Sequence, residues 1–193
     1  MHVIGTARLP KPGPHMAIEG DKRATAAGNV VVLRDLSSGS RITLRGHKAR
    51  VTSLHFDSRG TRLLTADQAG DVRIWNAETG GKLHLLRGHF GVVSDARFSP
   101  DGRWIVTAGP FSAGLWRSDS DTIHTFIRDT DRPLVARFEG NNRIVTTARD
   151  GKVREWFCDF CGTTDELLAL AKKRLARTGR TLTPEEKRII LPH

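Results

Sequence analysis

Three small groupings in this sequence hold residue types that can do chemistry. His47 has aspartates and serines near it in the chain, the material of a triad in which an imidazole takes a hydroxyl proton. A hydrolase of that kind holds its nucleophile on a strained turn, and no G-x-S-x-G is present. Neither G-x-x-x-x-G-K-[ST], which would cradle phosphate, nor H-E-x-x-H, which would hold zinc, occurs. Cys158-Asp159-Phe160-Cys161 is a C-x-x-C, but zinc takes four ligands and these are the only cysteines. His124 or His193 would have to complete such a site, and a thioredoxin-type motif needs a βαβ context that the pattern does not offer. The simplest reading is two small apolar side chains packed where the last strand meets a helix. The expectation is therefore a non-enzyme, with no catalytic residues, no metal and no cofactor.

What remains is binding. The formal charge of +10 favours an acidic partner, with nucleic acid as the alternative. Of the 31 lysines and arginines, 24 precede Cys158, scattered about one per strand or turn, which reads as solvated faces rather than a groove for a phosphate backbone. No apolar run is long enough to span a membrane, and the apolar stretch near the N-terminus is too short for a signal peptide. With two cysteines and no disulfide framework, a reducing cytoplasm is the expected location.

The elements that would position any site come from a repeat. Leu44–Asn76 opens on Arg45-Gly46-His47, closes on Trp75-Asn76 and holds short β-type runs at Val51–Phe56, Arg62–Thr65 and Val72–Trp75. A shift of 42 residues brings up Arg87-Gly88-His89, with Ala96-Arg97-Phe98 where Leu54-His55-Phe56 stood. A further 40 brings up Ala136-Arg137-Phe138, and Trp156 answers Trp116. Upstream, residues 27–47 align without a gap on 69–89, which puts Leu33 in the place of Trp75. Gly and Asp turns separate the runs.

A period near 40 with a Gly-His opening and a Trp-Asp-like close resembles the WD40 repeat, one blade of a β-propeller. The tail resembles that of bacterial WD40 proteins, some of them large signalling ATPases that carry propellers as sensors. The fold class implied is all-β: a partial WD40-type β-propeller of about three and a half blades with a short C-terminal α-helical extension. The fourth unit stops short of an outer strand. Domain limits are an irregular segment over 1–22, repeats over 23–157 and a helical extension over 158–193, where Thr163–Glu166 and Thr183–Glu186 have capping-box spacing. Within 1–22, the echo of residues 138–143 by Ile18–Arg23 reads as a turn between two blade strands.

The resemblance also assigns residues. WD40 blades carry a buried tetrad of His, Ser/Thr, Asp and Trp. The matching positions are His47, Thr65 and Trp75 in the second unit, with Ala69 at the Asp position. They are His89 and Trp116 in the third, with Val106 and Pro110 replacing Thr and Asp, and Thr146, Asp150 and Trp156 in the fourth, with Arg128 near the His position. No unit is expected to hold a full tetrad. Partners of WD40 propellers sit near the central channel, which points to Arg50, Thr52 and Gln68, to Val92, Ser94 and Gly109, and to Arg132, Leu134 and Arg149. Arginines there suit carboxylates or phosphates. The resulting expectation is an interaction scaffold or sensor module for a protein partner of acidic character. An incomplete ring exposes unpaired ends, so self-association or a partner is expected to complete it.

Overall fold

The computed structural model of the chain describes the backbone of residues 2–6, and residues 15–127, 132–158, 161, 167–169 and 172. Of the expected C-terminal helices, residues 167–169 and 172 are helical; the two capping boxes lie outside the described residues. The strands are β1 (His2–Thr6), β2 (Met16–Glu19), β3 (Lys22–Ala27), β4 (Val30–Asp35), β5 (Arg41–Leu44), β6 (Val51–Phe56), β7 (Arg62–Asp67), β8 (Val72–Asn76) and β9 (Lys82–Leu86). They continue with β10 (Asp95–Phe98), β11 (Trp104–Ala108), β12 (Ala113–Arg117), β13 (Ile123–Ile127), β14 (Pro133–Phe138), β15 (Arg143–Ala148) and β16 (Lys152–Phe157).

These form four antiparallel four-stranded sheets, hereafter blades 1 to 4. Their orders are β2-β3-β4-β5, β6-β7-β8-β9, β10-β11-β12-β13 and β1-β16-β15-β14. Side chains alternate across a strand, so each blade has two faces, and in the middle of the arc both are apolar. Neighbours Leu63 and Leu64 show this: they point to opposite faces, yet both are fully buried. Leu63 joins Leu54, Phe56 and Trp75 against Val31, Leu33 and Leu44 of blade 1. Leu64 joins Ala66, Val72, Ile74 and Leu86 against Val93, Ala96, Ile105 and Trp116 of blade 3. A third cluster holds Val106, Ala113 and Leu115 of blade 3 against Ala136 and Ile144 of blade 4. The core is thus three layers between blades.

Within the segment 1–22 the described residues include two strands, β1 and β2, while residues 7–14 lie outside the described residues. Gly20 and Asp21 turn between β2 and β3, as the echo of residues 138–143 implied. The larger surprise is β1, which pairs antiparallel with β16 from His2↔Glu155 to Thr6↔Lys152. The fourth unit does stop short of an outer strand in sequence, but the N-terminus supplies one. Leu33 also differs from expectation. It pairs with Ala24 and Ile42, as Ile74 pairs with Leu64 and His84, so it occupies the Ile74 place and not that of Trp75. The cause is turn length: four residues separate the paired Ala26 and Val31, whereas five separate the equivalent pair Ala66 and Val72. An odd difference moves every side chain of β4 to the other face.

The ends of the arc are less covered than its middle. Blade 1 meets blade 2 through β2 and β3 against β6, blade 2 meets blade 3 through β6 and β7 against β10, and blade 3 meets blade 4 through β10 and β11 against β14. Among the described strands, no contact of comparable extent joins blade 4 back to blade 1.

Candidate functional site

The buried networks come first, because they set the rim above them. His47 sits in the loop before β6 and reaches the end of β7. Its Nδ1 lies 2.8 Å from Asp67 Oδ2 and its Nε2 lies 2.6 Å from Thr65 Oγ1, while the Trp75 indole N–H donates to Thr65 Oγ1 at 2.8 Å. Asp67, not position 69, is the carboxylate, so blade 2 holds all four groups and the expectation of an incomplete tetrad there is corrected. Thr65 and Asp67 are two apart on one strand, hence on one face, within reach of the same imidazole. With a carboxylate at Nδ1, the proton belongs on Nδ1; Nε2 then accepts from the threonine hydroxyl, whose oxygen in turn accepts from the indole. Asp67 Oδ1 also accepts from the Ala69 and Asp71 amides, at 2.9 and 3.0 Å, and so shapes the turn.

A hydroxyl, an imidazole and a carboxylate in series have the connectivity of a hydrolytic triad. Here Thr65 and Asp67 are fully buried and the Thr65 oxygen is already bound by Trp75. A nucleophile must reach its substrate, so this arrangement holds the blade together rather than attacking anything. Burial pushes the His47 imidazole below its ordinary pKa, against the raising effect of the Asp67 hydrogen bond and charge.

Blade 3 repeats three of the four groups. His89 Nε2 is 2.6 Å from Thr107 Oγ1, and the Trp116 indole donates to the same oxygen at 2.9 Å. The hydroxyl is therefore Thr107, correcting the assignment to Val106. The place of Asp67 is taken by Gly109 rather than Pro110, and a Cβ at Gly109 would lie 2.1 Å from His89 Nδ1. The ring fills the space that a carboxylate would need. Burial alone takes His89 down to about 4. In blade 4, Trp156 donates to Thr146 at 3.1 Å, but Asp150 is held by Arg154, at 2.6 and 3.2 Å, and by the Lys152 amide. Asp150 is thus an ion-pair partner, not a histidine partner, and Arg128 lies outside the described residues.

Above these networks runs a rim formed by the blade-to-blade loops and the turns between second and third strands. The Gln68 amide donates to the Arg50 carbonyl, and the Arg149 amide to the Arg132 carbonyl, so each pair of side chains starts from adjacent backbone. All four are exposed. Arg132 and Arg149 stand together on blade 4, with blade 3 between them and Arg50. Val92 is exposed, Leu134 half-buried and Gly109 buried.

Thr52 and Ser94 do something else. The Thr52 hydroxyl lies within hydrogen-bonding distance of the Val93 carbonyl of the next blade's entry loop and of the Ala66 carbonyl. Ser94 reaches the Leu134 carbonyl at 2.9 Å in the same way. Both hydroxyls stitch one blade to the next, which removes them from the set available to a ligand.

Two rim residues went unread in the sequence. Phe90 is 88% exposed and Phe111 68% exposed. Their loops touch, since a Cβ at Gly91 would meet Pro110 Cγ at 3.7 Å. The signal was present: phenylalanines stand where blade 2 has Lys48 and Ala69. At the end of β16, Cys158 and Cys161 are buried among blade 3 and blade 4 side chains, as their packing reading implied, and they are also joined to each other as a disulfide.

The profile of the family described as "WD domain, G-beta repeat" matches residues 38–76 and 80–117. The guanine nucleotide-binding protein subunit beta-1 of Caenorhabditis briggsae is 24% identical over 161 residues, covering 77% of this chain and 47% of that protein. The apoptotic protease-activating factor 1 of Homo sapiens is 40% identical over 76 residues, covering 35% of this chain and 6% of that protein. The chain spans about half the length of the G-beta relatives it matches. Among solved structures, the computationally designed Ika4 protein aligns at a TM-score of 0.68 and 20% identity, covering 81% of this chain and 96% of that one. The designed Ika8 protein aligns at 0.66 and 21%, covering 74% of this chain and 44% of that one. Two matched repeats, the blade topology and these structural neighbours together give the fold, a partial WD40-type β-propeller.

Proposed function

We propose that the chain is a non-catalytic interaction scaffold that takes a protein partner on its loop rim, with Phe90 and Phe111 as apolar anchors. Their exposure carries the reading: aromatic side chains that far into solvent, on touching loops, form the kind of patch that interfaces bury. Arg50, Arg132 and Arg149 give the partner its acidic character, since guanidinium meets carboxylate in a charge-assisted fork. The relatives' names support the coarser part, one being a subunit of a guanine nucleotide-binding protein and so a member of an assembly. The ends of the arc, with fewer neighbours than its middle, associate with further blades.

A display library of acidic peptides with one aromatic or leucine residue, read beside a short DNA duplex at low and high salt, tests this. Peptide binding that weakens about tenfold or more in Phe90→Ser/Phe111→Ser, and in Arg132→Glu/Arg149→Glu, supports the rim as a protein site. Peptide binding indifferent to both variants would sink it. Duplex binding that collapses with salt would replace it with the nucleic-acid reading, because phosphate contacts release counterions.

A further inference from the structure

The two faces that end the arc are unlike the faces between blades, and they are unlike each other. Cross-strand pairing puts Met16, Ile18, Arg23, Thr25, Val32, Arg34, Arg41 and Thr43 of blade 1 on the side away from blade 2. Met16 is 45% and Ile18 55% exposed, although the apolar residues of the next inner strand, Leu54 and Phe56, are buried. Arg23, Arg34 and Arg41 are direct register partners in one row. None of the three guanidinium groups makes a hydrogen bond or ion pair among the described residues. Like charges directly opposite one another destabilise a sheet, so such a row calls for an acidic, partly apolar cover.

At the other end, Val135, Val145, Val153, Glu155 and Phe157 share the side of blade 4 away from blade 3. Phe157 is 68% exposed. Glu139, just past β14, and Glu155 are held by Arg137 and Arg143 at 2.7 to 3.0 Å. Both charged rows lie in the half of their blades nearest the turns after the first and third strands. The hydroxyl stitching also runs out here: Thr52 and Ser94 reach forward to the next blade, but their counterpart in blade 4 is Leu134, which has nothing to donate.

We propose that a second copy of this chain covers both ends at once, blade 1 of each copy packing on blade 4 of the other, to close one ring of two chains. A single two-fold rotation satisfies both ends, because each copy brings the face that the other lacks. The arginine row of one blade 1 then meets Glu139 and Glu155 of the facing blade 4, and Met16 and Ile18 meet the exposed Phe157. The inference concerns the ends of the arc and stands whether or not the rim binds peptides.

Sedimentation of the full chain across a hundredfold range of micromolar concentration, with circular dichroism as the folding control, decides it. The expected result is a dimer that dissociates on dilution. Ile18→Asp and Arg34→Glu, both at exposed positions of the single chain, shift its dissociation constant upward by tenfold or more while the β spectrum stays unchanged. Phe90→Ser/Phe111→Ser leaves the dimer intact. A monomer at every concentration overturns the proposal, as does a dimer whose dissociation constant ignores both end variants. If either end variant loses the β spectrum, Phe157→Asp at the opposite end serves as the second probe, with the same two outcomes.

Discussion

Blades 2 and 3 end their histidine chains differently, and the difference shows what the carboxylate contributes. In both, an indole N–H and an imidazole converge on one threonine oxygen with nearly identical distances. Only in blade 2 does the imidazole find an acid behind it, at Asp67; in blade 3 that place is Gly109. The acid fixes which nitrogen carries the proton and offsets part of the burial that disfavours imidazolium. Without it, burial acts alone and His89 falls to about 4. The indole and hydroxyl therefore set the geometry, and the acid sets the protonation state and the turn.

The sharpest way to break this comparison is Asp67→Ala. It removes the partner of His47 Nδ1 together with the acceptor of the Ala69 and Asp71 amides. Three buried or half-buried groups lose their bonds, so urea denaturation is expected to show a loss of about 3–4 kcal/mol, with no counterpart available in blade 3.

Acid is the next largest lever. His89 binds protons less readily folded, at about 4, than unfolded near its ordinary 6.5, so the unfolded chain takes up more protons on acidification. Stability contributed by neutral His89 is present above about 6.5 and is lost as pH falls towards about 4, roughly 3 kcal/mol at full extent. His47 and His55 are shifted in the same direction by burial and add to the loss. Thermal melts between these pH values are expected to fall steadily, and His89→Gln should flatten part of that slope. A flat profile in the parent chain would contradict the burial argument.

Gly109→Ala sharpens the comparison from the other side. Its Cβ would collide with the His89 ring, so a cost of about 2 kcal/mol is expected on denaturation, although the backbone there is of an ordinary kind. The smallest effect belongs to Arg117→Ala, which removes an exposed pair with Asp119 and should change stability by no more than about 0.5 kcal/mol.

Much of the fold was legible because a blade is a local object. The Gly-His openings, the tryptophans and the Gly turns recur at a period that needs no distant partner, and they mark blades 2 and 3 and most of blade 4. Thr107 was legible too, since a 42-residue shift from Thr65 lands on it; a template position led to Val106 instead. Asp67 was hidden by the same template, although its two-residue spacing from Thr65 puts both on one strand face. Leu33 was misplaced because a gapless alignment cannot see a shorter turn, and one residue of slip exchanges inside for outside. The pairing of β1 with β16 leaves no local trace at all: nothing in His2–Thr6 names a partner some 150 residues away.

That pairing has a consequence for synthesis. A ribosome makes β1 some 150 residues before β16, so the earlier strand waits through the synthesis of the blades between them without its neighbour. Blades 2 and 3 are contiguous in the chain and can assemble as they emerge, with short loops closing each sheet. Blade 4 must wait for the far end of the chain to come back. During that interval the nascent protein carries β1 with its backbone edge unsatisfied, and any other chain with a matching strand competes for it.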